Sequence, residues 1–368
     1  MRRTLLLMST LALCAMCSLA AGEESRVREM MRKNNVRPGT PVAVEFDSSP
    51  LMQQFSVIPL KQLSVARSEM DRILAGHLLR RAGFGPTKKE LKKLSKGGGN
   101  ARLRWIEQQL NPDAIDDSEL ERILPPIDPL NGDYDYIRRW YVRMAFSKRQ
   151  LQEKMTLIWH EHFSVSDEKV GTPEYMGEHE DLLRSYSLEN FRDFLVDMTV
   201  NRAMLYWLDN HYNNGNAETP PNENYAREFL QLYSTGTTLL NLDGTPVLDE
   251  SGNPVPAYTE TDVRELSRSM TGWYVNYCPQ YPDCGPALFE PAIHDDRAKF
   301  LLDAEVPAGL YAEEVGFAID LVLAQRTDTV AAFISKELIQ KLAVDNQPYE
   351  SPDFFLVDQQ RIHFKTLA

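Results

Sequence analysis

Ser68-Glu-Met-Asp71, Thr87-Lys-Lys-Glu90 and Thr259-Glu-Thr-Asp262 each place a serine or threonine three residues ahead of a carboxylate. At that spacing hydroxyl and carboxylate satisfy each other's orphaned backbone N–H groups, which is the chemistry of a helix start. The first box predicts a helix through Ile73, Leu74, His77 and Leu78 stopped at Gly83, and the second a helix that runs out in Gly97-Gly98-Gly99. The third launches Val263, Leu266 and Met270 toward Gly272. Apolar residues at three-and-four spacing add helices marked by Tyr134, Ile137, Tyr141 and Met144, and by Leu151, Met155, Ile158 and His162. Ser187 is placed to cap Phe191, Phe194, Leu195 and Met198, and a short apolar helix follows around Met204 to Leu208.

A helix over 222–235 carries Ala226, Phe229, Leu230 and Tyr233 on one face, with Thr219 and Pro220 to open it and a left-handed Gly236 to close it. Two further helices are expected around 311–324 and 329–343. Leu242 to Val255, rich in Asp, Gly and Pro, reads as a β-hairpin turning near Ser251-Gly252-Asn253, an exposed insertion over about 240–257. The expected fold is mainly α: an irregular multi-helix globular domain over 66–343 with a small β-hairpin insertion. Since 43% of the chain is hydrophobic, it has the material for a substantial core.

The flanks speak to compartment. Arg2 and Arg3 precede an apolar run from Leu5 to Leu19, and Ser18-Leu19-Ala20 offers the small residues a signal peptidase reads, so residues 1–20 are expected to be a cleaved signal peptide. A lipid anchor fits poorly, because Met16 precedes Cys17 and Leu13 precedes Cys14 where a small residue is needed. Residues 21–65 read as an irregular arm and 344–368 as a C-terminal tail. No later stretch approaches the roughly 18 apolar residues of a spanning helix. The expectation is an exported protein, periplasmic or extracellular, with no stable membrane insertion after cleavage. The net charge of −13 becomes more negative once the two leader arginines are removed, which argues against nucleic acid as a partner. Bound for an oxidising compartment, Cys278-Pro-Gln-Tyr-Pro-Asp-Cys284 is expected to close a local disulfide.

Candidate chemistry is spread over several segments. His160-Glu161-His162 suggests metal ligation, although residues two apart on a helix point about 200° away from each other. Asp209 and His211 follow a short apolar helix, and His294-Asp295 lies on a turn-rich loop. The metal candidates are therefore His160, His162, Asp209, Glu228 and His294, for a divalent ion with oxygen-rich coordination. Glu223, Arg227 and Glu228 are the candidate catalytic acid, anion clamp and base, or else an inter-helix ion-pair array. His179-Glu180 is followed by Asp181, Leu182 and Leu183, so the zinc-peptidase spacing fails there. Serine-hydrolase elbows, phosphate loops and dinucleotide fingerprints are missing.

Five ordered blocks carry a resemblance: His77-Leu-Leu-Arg-Arg-Ala-Gly-Phe-Gly85, Trp159-His-Glu-His-Phe163, Asn222-Glu-Asn-Tyr-Ala-Arg-Glu228, Tyr258-Thr-x-x-Asp262 with Thr271-Gly-Trp273, and Phe289-x-Pro-x-x-His-Asp295. Together they resemble the bacterial family called domain of unknown function 1800. The resemblance implies an exported helical protein, often encoded beside a secreted sulfatase-like family, domain of unknown function 1501, which would be its partner. It also implies more chain after 329–343 than is present, so the tail is expected to be truncated or diverged. Two functions are compatible with all of this: a non-enzymatic accessory that binds or matures an exported partner, and a metal-dependent hydrolase or oxidoreductase acting on extracellular material.

Overall fold

The computed structural model describes residues 67–127, 133–275 and 287–343. The segments expected to be a signal peptide, an irregular arm, a C-terminal tail and a Cys278–Cys284 disulfide lie outside the described residues. Within them the protein is mainly helical, with two small antiparallel strand pairs.

Helix α1 (Arg67–Arg81) packs on α2 (Lys88–Gln109), whose Thr87–Glu90 capping box forms as expected. The second helix does not end at the glycines. It breaks at Gly98 (φ 59°, ψ −153°) and resumes to Gln109, because glycine supplies the one left-handed residue needed to change direction. Then come α3 (Ser118–Ile123), α4 (Asp133–Phe146), α5 (Gln150–His162), α6 (Asp167–Val170) and α7 (Pro173–Ser185). Asn190, not Ser187, caps α8 (Phe191–Thr199), accepting from the N–H groups of Arg192 and Asp193. Asn201 caps α9 (Arg202–Trp207).

The core lies where α5 meets α8 and the segment after α10 (Asn224–Glu228). Trp159 stacks on Phe191 at 5.6 Å and donates its Nε1–H to the Ser187 carbonyl (3.1 Å), while Phe163 contacts Phe194 at 4.9 Å and Tyr233 at 5.1 Å. Thr219 and Pro220 do not open this helix, which starts at Asn224 with no side-chain cap. From Phe229 to Ser234 it widens into a π turn, and the Ser234 and Thr235 hydroxyls bond back to the carbonyls of Phe229 and Leu230. Gly236 then closes it with φ 71°, the left-handed end expected.

The insertion is not a simple hairpin. Gly236, Gly244 and Gly252, eight residues apart, all have positive φ, and three residues after each comes Leu239, Val247 or Val255. The Leu239 N–H donates to the Val255 carbonyl, Val255 to Val247, and Val247 to Leu239 (2.9, 2.9 and 2.8 Å), so three short arms close a ring. The ring is moored to the start of the last helix by Thr329, which bonds both backbone groups of Leu240, and by Arg326, which donates to the Ala257 carbonyl.

Helix α11 (Glu260–Ser269) begins at the third capping box. The strand pairs, β1 (Trp273–Tyr274) with β2 (Leu288–Phe289) and β3 (Lys299–Leu301) with β4 (Ala304–Val306), join it to α12 (Glu314–Gln325) and α13 (Thr327–Leu342). No helix among the described residues is long and apolar enough to cross a membrane.

Candidate functional site

The proposed ligands do not converge: among the described residues, no three of His, Cys, Asp or Glu are grouped to hold a metal. Each belongs to a different local arrangement. His162 is buried with both ring nitrogens facing protein oxygens, Nδ1 to Glu337 Oε2 (2.7 Å) and Nε2 to the Tyr233 carbonyl (3.1 Å), so neither is turned toward an ion. His294 is fully enclosed, with Nε2 3.1 Å from Glu314 Oε2 and Nδ1 against Thr271. Glu314 in turn meets Lys299 Nζ at 2.5 Å. That triad ties α12 to the loops before it.

Asp209, in left-handed backbone at φ 57°, is exposed; it pairs with Lys169 (2.9 Å) and accepts from Asn224 (3.3 Å). Neither Asp209 nor Asp295 caps a helix; Asp295 is clamped by Arg268 and Arg297. Arg227 forks onto Glu260 (both contacts 2.8 Å) and reaches Glu223 at 3.0 Å, all three partly exposed, which is an inter-helix ion-pair array rather than a poised acid and base. Glu228 differs, in that its Oε2 is buried without a hydrogen-bond partner.

His160 points away from His162, as the pitch of α5 requires. It enters a cavity of about 170 Å³ between α4, α5 and α7, where Tyr136, Trp140, Met176, His179 and Glu180 also form the wall. Trp140 meets the His160 ring edge to face at 4.9 Å, and the ring centres of His160 and His179 stand 6.1 Å apart. The helices approach closely because α7 carries Gly177 under the Tyr136 ring, where an added Cβ would lie 2.2 Å from Cε1.

His179 is buried, and its tautomer follows from its partner. Asn201 Oδ1 already accepts the Met204 N–H as the cap of α9, so this oxygen faces His179 Nδ1 at 3.3 Å as an acceptor, and the nitrogen carries the hydrogen. Nε2 is then the lone-pair nitrogen, and it is buried without a partner. Trp140 Nε1 is likewise buried and unpartnered. Burial, reinforced by the neighbouring His160, pushes the His179 pKa down to about 3; burial also lowers that of His160. Both rings are neutral at neutral pH. Tyr136 is pushed up to about 12, chiefly by burial, and stays a phenol. Glu180 is turned to Arg184, which also holds Glu153, so its carboxylate is already engaged.

A larger cleft of about 480 Å³ lies between α3, α4 and α5, but its charges answer one another. Asp117 accepts from Ser147 and Lys148, Arg149 donates to the Ile115 carbonyl, and Arg184 binds Glu153. Of these two cavities, the smaller presents unsatisfied buried groups, Trp140 Nε1 and His179 Nε2, each of which costs free energy until a ligand or water meets it.

Sequence reasoning found His160 but missed Trp140, Met176 and His179. Met176, His179 and Glu180 share one face of α7 at three-and-four spacing, and a glycine sits among them, which was the available signal.

A family model described as "Protein of unknown function (DUF1800)" matches residues 77–354. No curated protein and no solved structure matches the chain.

Proposed function

We propose that this chain, which belongs to the DUF1800 family, is an exported accessory protein that captures a transition-metal ion in the cavity between α4, α5 and α7. The observation that carries the reading is the Nε2 lone pair of His179, buried, unpartnered and held in its tautomer by a helix-capping asparagine. A histidine whose second nitrogen is fixed by a carboxamide oxygen is oriented as metal-bound imidazoles are. Both imidazoles are neutral, so an ion meets no competing proton. The accessory role brings a partner, for which we propose the co-encoded exported sulfatase-like protein implied by the family resemblance.

The second reading is a metal-dependent hydrolase or oxidoreductase acting on extracellular material, favoured by the unpartnered Glu228 Oε2. It is the weaker one, because Arg227 and Glu223 are spent on Glu260 and on each other.

Equilibrium dialysis of the purified protein against copper, zinc, cobalt and nickel, followed by elemental analysis, tests the proposal. About one equivalent of one of these ions is expected to stay with the protein and to be lost in His160→Gln and His179→Gln with the helical circular dichroism unchanged. A folded wild-type protein that retains none of them overturns it.

A further inference from the structure

We propose that the cleft between α3, α4 and α5 binds a zwitterion, an amino acid or dipeptide, whose carboxylate meets Arg143 and Arg149 and whose ammonium meets Asp116 and Glu121. This site is separate from the metal cavity and stands or falls without it. At about 480 Å³ the cleft has the size of small-molecule sites.

Two of the guanidiniums on its wall are only loosely paired. Arg143, on α4, has a side chain 17% exposed, and its one hydrogen-bond acceptor among the described residues is Glu121 Oε1, at 3.4 Å. That is a long bond to a side chain itself 62% exposed, so most of the five donors of an enclosed cation have no protein partner. Just before α5, Arg149 gives Nε and Nη2 to the Ile115 carbonyl (3.2 and 3.1 Å). Its Nη1 stands 4.0 Å from Asp113, beyond hydrogen-bond reach.

Arg184, on the same wall, is spent. Its Nε and Nη2 hold Glu153, Nη2 also holds Glu180, and Nη1 holds Asp181. Arg143 and Arg149 are the guanidiniums with donors to offer, and a guanidinium fork matches a carboxylate or a phosphate.

The remaining charges choose between those two anions. Carboxylates outnumber guanidiniums five to three on this wall. Asp117 is occupied by the Ser147 hydroxyl and the Lys148 N–H, and Glu153 by Arg184, whereas Asp113, Asp116 and Glu121 are exposed. A doubly charged phosphate or sulfate meets that excess as repulsion. A single carboxylate that carries its own cation turns it into attraction, with opposite charges facing each other at both ends. The Ser118 N–H and hydroxyl hold the Asp116 pKa below its ordinary value, so its charge is present at neutral pH.

Titration calorimetry of the purified protein with each of the standard amino acids and with dialanine tests the proposal. At least one is expected to bind. The N-acetyl and carboxamide derivatives of the tightest binder, each lacking one charge, should bind at least about tenfold more weakly, and sulfate more weakly than the zwitterion. Arg143→Gln should weaken zwitterion binding at least about tenfold with the helical circular dichroism unchanged, and Arg143→Lys should recover part of it. Glu121→Gln should weaken the zwitterion relative to its N-acetyl derivative, a difference that a purely structural role for Glu121 would not produce. A folded wild-type protein that binds none of these compounds overturns the proposal. So does a sulfate or N-acetyl derivative bound as tightly as the zwitterion, or an Arg143→Gln variant with unchanged affinity.

Discussion

His179 and Asn201 stand 3.3 Å apart, and the oxygen between them is the one that caps α9 through the Met204 N–H. One side chain therefore does two jobs that substitution can separate. Serine at position 201 keeps a capping oxygen but is too short to reach the imidazole, so Asn201→Ser should cost about 1–3 kcal/mol, the penalty of a stranded buried Nδ1–H. Asn201→Ala loses the cap as well and should cost about 1 kcal/mol more. In both, nitrogen-detected NMR of His179 should show the fixed tautomer replaced by a mixture. A single unchanged tautomer in either would remove the asparagine from its positioning role.

Acid should unfold the metal-free protein early. Unfolded, His179 binds a proton near pH 6.5; folded, burial holds its pKa down to about 3. Between those values the unfolded state carries one more proton, so stability is full above about pH 6.5 and falls with acidification at up to about 1.4 kcal/mol per pH unit for this residue. His160, also lowered by burial, adds to the slope in the same direction. Urea denaturation at a series of pH values from 7 to 4 should show the loss, and His179→Leu should flatten it by about one proton's worth. A slope unaltered by that change would mean the imidazole is reached by water.

Gly177 lets α7 lie under Tyr136. Its missing Cβ would fall within 2.2 to 2.8 Å of three ring atoms, so Gly177→Ala must shift either the ring or the helix. The cost should be about 1–3 kcal/mol, typical of overpacking. Tyr136→Ala should relieve the clash, so the double variant is expected to be more stable than the two single effects sum to, when melting temperatures are put through a double-mutant cycle. Simple additivity would deny the contact.

Local signals made the helices legible, and long-range ones hid the rest. The Thr87–Glu90 and Thr259–Asp262 boxes form because both partners lie within one turn. Ser187 lost to Asn190 because two oxygens stood within a few residues, and the start of α8 decided between them. The strand pair Trp273–Phe289 is two residues long on each side, too short for any alternation to show. The divergence of His160 and His162 followed from helix pitch alone, whereas the meeting of His160 with His179 needed α7 to cross α5. Judged by a zinc-peptidase spacing on its own helix, His179 failed a test that did not apply, since its neighbour comes from another element.

Lys299, Glu314 and His294 form a triad around the Lys299–Glu314 ion pair, with no exposed side chain. Removing one partner strands the others, so Lys299→Met should cost about 3–5 kcal/mol, with the carbonyls of Asp295 and Arg297 losing their donor as well. Neutralising the carboxylate too, in Lys299→Met with Glu314→Gln, should restore more than half of the loss, because the penalty is chiefly that of an unpaired buried charge. Urea midpoints of the single and double variants decide it. A double variant no better than the single would place the cost in lost packing instead.

Three glycines close the ring of arms, and their surroundings differ. Around Gly252, at φ 83°, a Cβ would meet nothing within 4 Å, so Gly252→Ala carries only the conformational cost of left-handed backbone, about 1–2 kcal/mol. At Gly236, φ 71°, the same Cβ would also press on the Phe333 ring at 3.0 Å, adding a packing penalty at the edge of the core. Gly236→Ala should therefore lower the melting temperature clearly more than Gly252→Ala. The two should also differ in reach. Amide exchange ought to quicken only in the ring for Gly252→Ala, but in α13 too for Gly236→Ala, because Phe333 belongs to that helix. Equal melting temperatures with exchange confined to the ring in both would mean that α13 is held independently of the module moored to it.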